Sequence, residues 1–362
     1  MNSFLKQQPG LKSQILEGRY ITYLKIKNLL SDFDHKQVGT SAKGLPIDMI
    51  TLGNGPIKVL MWSQMHGNES TSTKGIIDVM YFLKANPSLL EPFTIQLIPM
   101  LNPDGAAAYT RVNANTIDLN RDAQQQSQSE TLALFKVYDA FQPNYCFNLH
   151  DQRTIFGVNN SPCMLSYLSP AADADKSITK AREQAMGIIG HINEQLQQHI
   201  PNQVGRYDDT YNPNCVGDYF QAKGTPTILF ECGQSGQDYA RTATRKWFSF
   251  SVLEALYCIA KNVFKPNAYD SIPEVEKSYV DVLIQHVPSQ GSKISIAVQY
   301  EEKLISGGIT FEPTLHSKGD LLQLNAHKII DLNKYNPIDF STFEDAAIKK
   351  LFKMLDLTHY SH

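Results

Sequence analysis

Short apolar runs alternate with segments of helical periodicity along most of this chain. Apolar runs predict buried strands at residues 36–40, 45–53, 57–65, 93–101, 144–150 and 225–231. Apolar positions three or four apart predict helices at residues 11–33, 72–85, 131–141, 175–199 and 240–262. Because strands alternate with helices, we predict an α/β fold with a mostly parallel mixed sheet flanked by helices.

The pattern changes near residue 270, between Pro266 and Pro273. Beyond this point alternating positions predict strands at residues 278–287, 292–300, 307–313 and 320–325. A last amphipathic helix is predicted over residues 343–357. The chain has 362 residues, more than the roughly 250–300 at which a single core stops growing. We therefore predict a larger domain over residues 1–269 and a small β-rich carboxy-terminal domain, ending in a helix, over residues 270–362.

Four side chains suited to metal chemistry stand at the ends of predicted strands. His66 and Glu69 follow one strand, and His150 and Glu231 each end another. In open α/β sheets, ligands bind in the crevice at the carboxyl ends of the strands, so these side chains are expected to converge. Two imidazoles and one carboxylate hold a catalytic zinc ion with a position open for water, and a further carboxylate can accept the proton of that water. The sequence therefore predicts a single-zinc site.

Each of these signals has a plainer explanation when it is taken alone. The spacing of His66 and Glu69 also occurs in surface loops, and His150 could be a core histidine. Asp151 and Gln152 directly follow His150, and either could accept the second ring N–H of a zinc-bound imidazole. The argument for a metal site therefore depends on the convergence of the residues.

Residues 102–123 lie between these motifs and are rich in Asn, Asp and Arg. Residues 102–105, with the sequence NPDG, predict a turn. Arg111 and Arg121 follow, and beside a metal ion a guanidinium group could bind a carboxylate or stabilise an oxyanion. As ordinary surface arginines, they would need no such role.

Five motifs in this order, HGNE, NPDG, RVNANTIDLNRD, NLH and a strand-ending FE, resemble those of the zinc metallocarboxypeptidases of the A and B type. The resemblance covers about residues 36–262. It implies that His66, Glu69 and His150 bind one Zn²⁺ ion and that Glu231 is the general base. It also implies that Arg111 polarises the scissile carbonyl.

The same resemblance implies a site for the carboxylate at the end of the substrate. Asn120 and Arg121 match the pair that grips this carboxylate. An aromatic lid usually contributes a tyrosine, for which Tyr207 and Tyr211 compete, and we favour Tyr211. Residues 214–217 are expected to form the floor of the specificity pocket.

Two departures from the digestive enzymes leave the reaction open. Asn68 stands where those enzymes commonly carry an arginine, and HGNE is also similar to the succinylglutamate desuccinylase and aspartoacylase branch. The first hypothesis is a carboxypeptidase and the second is an N-acyl-amino-acid deacylase. Both predict a peptide or N-acyl amino acid substrate with a free carboxylate. A third hypothesis is an inactive zinc-binding module that recognises peptide termini, although such a module would not need Glu231.

Composition narrows the choice of partner and compartment. The net charge is only −3, which gives no reason to expect a nucleic acid partner. No run of about 18 apolar residues and no secretory signal pattern is visible, so we expect neither a membrane partner nor export. Five cysteines without a C-x-x-C pair suit reduced thiols. We therefore expect a cytoplasmic location, while the oligomeric state cannot be inferred.

Overall fold

The computed structural model describes residues 2–289, 292–321, 323–334 and 345–361. Its α-helices are α1 (Asn2–Gln7), α2 (Tyr23–Leu30), α3 (Thr71–Ala85), α4 (Pro103–Ala108), α5 (Ser129–Phe141), α6 (Lys180–Leu196), α7 (Val216–Ala222), α8 (Thr242–Lys261) and α9 (Asp345–Met354). The first ten strands are β1 (His35–Thr40), β2 (Pro46–Leu52), β3 (Ile57–Ser63), β4 (Phe93–Ile98), β5 (Tyr145–Asp151), β6 (Gly157–Val158), β7 (Ser161–Pro162), β8 (Leu165–Leu168), β9 (Val204–Arg206) and β10 (Thr227–Cys232). The last five are β11 (Tyr279–Ser289), β12 (Ser292–Ile305), β13 (Gly308–Gly319), β14 (Asn325–Asp331) and β15 (His359–Ser361).

The larger sheet has eight strands in the order β1-β2-β4-β3-β5-β10-β8-β9. Its centre is parallel, because β4, β3, β5 and β10 run in the same direction. Strands β1, β2 and β8 pair antiparallel to their neighbours. The predicted α/β fold with a mixed sheet is therefore confirmed, and the parallel centre brings the carboxyl ends of four strands to one edge.

Helices cover both faces of this sheet, so its central strands are apolar on both sides. In β3, Val59 and Met61 pack into the core under α3, α6 and α8, whereas Leu60 and Trp62 pack into the core under α5 and α7. This alternation follows from the two-residue period of a strand. The centre of the sheet is therefore a rigid base for the loops at its edge.

Local differences from the predicted elements have identifiable causes. The predicted helices over residues 11–33 are reduced to a 3-10 turn and α2, because Gly18, with a φ of +66°, interrupts the segment. The predicted turn at residues 102–105 is wrong, because these residues begin α4. Asn102 caps that helix by accepting a hydrogen bond from Gly105 N at 2.8 Å, and Pro103 occupies its first turn.

A second, five-stranded sheet is built from residues 279 onward, in the order β14-β11-β12-β13-β15. The β-rich character of the tail is confirmed. The strand predicted at residues 320–325 is wrong for its described residues, since β14 begins only at Asn325, and Leu322 lies outside the described residues. The final predicted helix agrees with α9, and its predicted start at residues 343–344 lies outside the described residues. The boundary near residue 270 remains a prediction; it falls between α8 and β11.

The second sheet docks on the segment that follows β5. Gly157 and Glu276 exchange backbone hydrogen bonds of 2.8 and 2.9 Å, and the Tyr279 hydroxyl donates to Asn160 O at 2.8 Å. Buried Asp281 accepts hydrogen bonds from the Tyr239 hydroxyl at 2.9 Å and from Thr154. These contacts hold the second sheet beside the edge where the candidate residues converge.

None of the helices described here is long and apolar enough to span a bilayer.

Candidate active site

Adjacent parallel strands carry the candidate residues to one edge of the larger sheet. His150 lies near the end of β5, and His66 and Glu69 lie in the loop after the neighbouring strand β3. Glu231 lies near the end of β10 and is the direct register partner of His150. The strand-end argument therefore placed these four residues on neighbouring segments.

His66, Glu69 and His150 form a tight cluster. The Nδ1 atoms of His66 and His150 each lie 2.8 Å from a different oxygen of the Glu69 carboxylate. The two Nδ1 atoms are 3.1 Å apart, and the three residues each offer one ligand atom within 4.8 Å of the others. Exposure is 2% for His66, 9% for Glu69 and 1% for His150, so water competes little for these atoms.

This cluster fits a zinc ion. Zinc bonds of about 2.0–2.2 Å in tetrahedral geometry place ligand atoms roughly 3.3 Å apart. The observed spacings of 2.8–3.1 Å require only small adjustments to reach that value. Two imidazoles and one carboxylate are also the donor set of zinc sites that keep one position open. Within the described part of the chain, this is the group of histidine, cysteine and acidic residues that meets these requirements.

Electrostatics keep the Glu69 carboxylate ionised. Burial alone would raise the pKa of Glu69, but the adjacent imidazoles of His66 and His150 hold this pKa well below its usual value. Burial lowers the pKa of His150, which favours the neutral imidazole that binds metal. An ionised carboxylate and a neutral imidazole are both suited to coordination.

Asp118 completes the environment of His66, and the sequence analysis did not single it out. His66 Nε2 lies 3.0 Å from Asp118 Oδ1, and Arg111 Nε donates to Asp118 Oδ2 at 3.0 Å. Burial opposes ionisation of Asp118, but its hydrogen bond and charge interaction with His66 lower its pKa. A carboxylate on the second nitrogen of a metal-binding imidazole fixes the ring orientation. The available signal was its place at the start of DLNR, between the two candidate arginines.

Asp151 and Gln152 do not accept a ring N–H from His150. The Asp151 carboxylate accepts the backbone N–H groups of Thr71 at 2.8 Å and Ser72 at 2.9 Å, at the start of α3. Gln152 donates from its side chain to a backbone carbonyl and accepts from a serine hydroxyl. Asp151 N also donates to Glu69 Oε2 at 3.2 Å, so this segment helps to orient the carboxylate of the candidate ligand.

Gly67 lets the loop that carries His66 and Glu69 approach the backbone of α4. A Cβ atom at Gly67 would lie 1.9 Å from the carbonyl carbon of Gly105. No side chain fits at that distance, so the glycine is required by close approach rather than by an unusual φ. The HGNE and NPDG motifs are therefore in direct contact.

Glu231 has the environment of a group that exchanges protons. Its Oε2 atom is buried, and no hydrogen bond to it is present among the described residues. Burial, together with the negative charges of Glu69 and Asp151, raises the pKa of Glu231 well above its usual value. A carboxylate with a raised pKa can accept a proton and return it near neutral pH.

Arg111 lies at the mouth of the cluster. Its side chain is 47% exposed, and its Nη1 atom lies 3.3 Å from Glu69 Oε1. The contact with Asp118 fixes the guanidinium group while leaving part of it open to solvent. Arg111 is thus within reach of a group bound beside His66 and Glu69.

Asn120 and Arg121 meet the start of α7. Asn120 Oδ1 accepts the backbone N–H of Val216 at 3.0 Å. Arg121 Nη1 donates to Asn120 O at 2.7 Å and to Cys215 Sγ at 3.1 Å. Residues 214–217, the expected pocket floor, therefore contact these two candidate carboxylate-binding residues. Helix α7 itself was not predicted from the sequence.

Tyr207 and Tyr211 differ in their relation to the cluster. Burial raises the pKa of Tyr207, and the negative charges of Glu231 and Glu69 add to this effect. Its ring also packs against Phe156, with 5.3 Å between the ring centroids. Tyr211 is half-buried. The choice of Tyr211 as the lid tyrosine stays a prediction.

A comparison with known protein families finds a match over the segment that forms most of the larger sheet. A profile of the family described as "Zinc carboxypeptidase" matches residues 24–279. The carboxypeptidase 2 of Trichophyton rubrum is 29% identical over 100 residues, which cover 26% of this chain and 19% of that protein. Carboxypeptidase SOL1 of Arabidopsis thaliana is 24% identical over 144 residues, or 34% of this chain and 29% of that protein. The matched segments thus span less than a third of these curated relatives.

Solved structures share the fold. A metallo-carboxypeptidase from Pseudomonas aeruginosa, in complex with (2-guanidinoethylmercapto)succinic acid, superposes with a TM-score of 0.54 at 17% identity, over 67% of this chain and 70% of that one. Bovine thrombin-activatable fibrinolysis inhibitor, in complex with tick carboxypeptidase inhibitor, gives a TM-score of 0.53 at 14% identity, over 67% of this chain and 98% of that one. At these identities the comparison establishes the fold.

Proposed function

Because the chain belongs to the zinc carboxypeptidase family, we propose that it is a zinc-dependent metallocarboxypeptidase that hydrolyses the C-terminal amide bond of peptides. The observation that carries this proposal is the cluster of His66, Glu69 and His150, with Glu231 on the adjacent strand. A hydrolase that uses zinc-activated water needs both a metal site and a nearby proton acceptor. A module that only recognises peptide termini would not need the carboxylate of Glu231.

When bound, zinc would supply a Lewis acid and would lower the pKa of a water molecule toward about 7. His66, Glu69 and His150 would hold the ion. Glu231 would accept a proton from the attacking water and then return it to the nitrogen of the leaving amine. Each proton transfer is a separate step, so the carboxylate is regenerated at the end of the cycle.

Arginine and asparagine side chains would orient the substrate. Arg111 would donate to the oxyanion that forms on the scissile carbonyl, a role in which one donor contributes roughly 3–4 kcal/mol. Arg121, with Asn120, would bind the terminal carboxylate and so place the last amide bond beside Glu231. The contacts of both residues with the start of α7 support this assignment, since they fix one wall of the pocket.

A deacylase that releases small acids from N-acyl amino acids is the second candidate. It is favoured by one observation, that the second sheet contributes Gln299 and Glu301 to the wall of the cleft beside Glu69. A wall at this place limits the room on the acyl side of the scissile bond, and so favours substrates with a short acyl group. Both candidates use the same catalytic groups and differ only in the acyl part of the substrate.

The reaction is tested by comparing free-acid peptides, the corresponding C-terminal amides and N-acyl amino acids as substrates of zinc-loaded enzyme. We expect free-acid peptides to be cleaved and amidation to abolish cleavage, because the amide removes the partner of Arg121. We also expect Glu231→Gln to lower kcat by about 10²–10⁴-fold without loss of bound zinc. Near wild-type turnover in that variant would contradict the role of Glu231, and cleavage confined to N-acyl amino acids would favour the deacylase.

A further inference from the structure

A cavity of about 340 Å³ lies between the candidate active site and the second sheet. Asn68, Glu69, Arg111 and Arg153 line its side on the larger sheet. On the opposite side, the lining residues come from β12 and β13 and are Gln299, Tyr300, Glu301, Glu302 and Phe311. Pockets of this size are at the small end of those that bury most of a small ligand. The carboxy-terminal domain is therefore one wall of the cleft.

The cavity extends away from the site proposed for the terminal carboxylate. Glu69 and Arg111 are part of its lining, whereas Asn120 and Arg121 are not. A substrate with its carboxylate at Arg121 and its last amide bond beside Glu69 would place its acyl side in this cavity. This placement of the substrate rests on the proposed function.

Most charges in the cavity already have partners. Glu302 is paired with Arg19, at 3.5 Å, and accepts a hydrogen bond from the Tyr109 hydroxyl. Asp151 lies 3.8 Å from Arg241 and caps the start of α3. The contacts of Glu302 join the second sheet to Arg19 and Tyr109, and both pairs leave little charge for a ligand.

Glu301 is the acidic group left for a ligand. Its side chain is 59% exposed, and its ionic contact is Lys303 at 3.5 Å, a lysine that makes a much shorter contact of 2.5 Å with Glu312. Glu301 is therefore weakly engaged at the mouth of the cavity. Arg153, also exposed, has no ion pair in the described residues and can donate to a carbonyl oxygen.

Gln299, two residues before Glu301 on β12, is fixed in the wall of the cavity. Its Nε2 atom donates to Thr154 Oγ1 at 2.7 Å and to Asp281. Its Oε1 atom is buried, so Gln299 shapes the wall and does not bind the ligand. Glu301 is therefore presented by a wall whose neighbouring side chain is held in place.

We propose that this cavity is an acyl-side subsite that binds the free amino terminus of a short peptide, with Glu301 binding the ammonium group. The Glu301 carboxylate can accept from the ammonium group, whose remaining N–H donors face solvent at the mouth of the cavity. Arg153, which is exposed and lines the cavity, supplies donors for backbone carbonyl oxygens. Because β12 and β13 form the far wall, the subsite accommodates one or two residues before the scissile bond. The enzyme is therefore specific for dipeptides and tripeptides with an unmodified amino terminus.

The test compares three substrates of zinc-loaded, full-length enzyme. They are trialanine with a free carboxylate, its N-acetyl derivative, and the same sequence extended by three further alanines at its amino end. We expect kcat/KM to be at least about tenfold higher for the free tripeptide than for either of the others, because a charge-assisted hydrogen bond is lost on acetylation. Equal kcat/KM values for the free and acetylated tripeptides would overturn the proposal, as would efficient cleavage of the extended peptide.

A matched pair of variants assigns the effect to Glu301. Glu301→Gln should raise KM for the free tripeptide about tenfold, leave kcat nearly unchanged and abolish the preference over the acetylated form. Glu276→Gln removes an exposed carboxylate that precedes β11 and does not line the cavity, so it should retain the wild-type preference. A Glu301→Gln enzyme that keeps the preference would overturn the assignment.

Binding measurements separate this inference from the proposed function. Calorimetry on zinc-loaded Glu231→Gln enzyme reports affinity for the free and acetylated tripeptides without turnover. If no peptide is hydrolysed by the wild-type enzyme, the carboxypeptidase proposal fails, yet at least tenfold tighter binding of the free tripeptide would still support the subsite. Equal binding, or no binding of either peptide, would overturn the subsite.

Discussion

At the scale of single residues, the sequence identified candidate site residues where a chemically reactive side chain stands at the end of a predicted strand. His66, Glu69, His150 and Glu231 were singled out because each follows or ends an apolar run, and parallel strands bring such positions together. Asp118 was missed because its contact with His66 depends on how a long loop folds back. Whether Tyr207 or Tyr211 belongs to the lid depends on loop folding in the same way, so the choice of Tyr211 stays a prediction.

Asp118→Asn tests whether the carboxylate that orients His66 and Arg111 matters for metal binding. We expect zinc affinity to fall by about 10–100-fold, because the second nitrogen of the His66 ring loses a charged partner. Competition with a chelator measures this affinity. Asp139→Asn, at an exposed position on α5, is the control and should bind zinc as the wild type does. Unchanged affinity in Asp118→Asn would show that this contact is incidental.

At the scale of secondary-structure elements, long periodic segments were predictable and short ones were not. Helices α3, α5 and α8 agree with their predicted spans to within about two residues, because each buries a broad apolar face. Strands β8 and β9 and helix α7 were missed, since four, three and seven residues carry too little pattern. The NPDG segment was predicted as a turn but begins a helix, because Asn and Pro are suited to the start of a helix as well as to a turn.

Gly67→Ala tests the contact between the HGNE loop and helix α4. We expect a loss of at least about 1–3 kcal/mol in the free energy of unfolding, since the added methyl group would overlap the Gly105 backbone. Gly10→Ala is the matched control, because a Cβ atom there meets nothing within 4 Å. Thermal unfolding of both variants measures the difference. Equal midpoints for the two variants would contradict the close approach.

At the scale of the whole molecule, the composition shift predicted a separate β-rich tail but not where it packs. Its position beside the cleft depends on contacts between distant segments, such as those of Asp281 with Tyr239 and Thr154. Strand β11 also pairs in parallel with β14, an arrangement that strand periodicity cannot reveal. The role of the tail as a wall of the cleft therefore became visible only in three dimensions.

Asp281 makes the stability of this packing depend on pH. Burial raises the pKa of Asp281 from 3.8 to about 6, although hydrogen bonds from Tyr300 N and the Tyr239 hydroxyl oppose the shift. The folded state therefore favours the protonated carboxyl group. This contribution to stability is fully present below pH 3.8 and is lost as the pH rises through about 6, with a total on the order of 3 kcal/mol.

Denaturant unfolding between pH 4 and pH 8 measures this dependence. The free energy of unfolding of Asp281→Asn should decline less over this range than that of the wild type, because the asparagine cannot ionise. Asp270→Asn, at an exposed position in the segment that links the two sheets, should show the same dependence of unfolding free energy on pH as the wild type. Parallel profiles for the wild type and Asp281→Asn would show that Asp281 is ionised in the folded protein without cost.

The central claim is that His66, Glu69 and His150 bind one zinc ion, and anomalous diffraction at the zinc absorption edge tests it most directly. We expect one peak per chain, about 2.0–2.2 Å from Nδ1 of His66, a carboxylate oxygen of Glu69 and Nδ1 of His150. We also expect this peak to be absent in crystals of His150→Ala. Zinc bound only elsewhere, or no zinc in fully loaded crystals, would contradict the account.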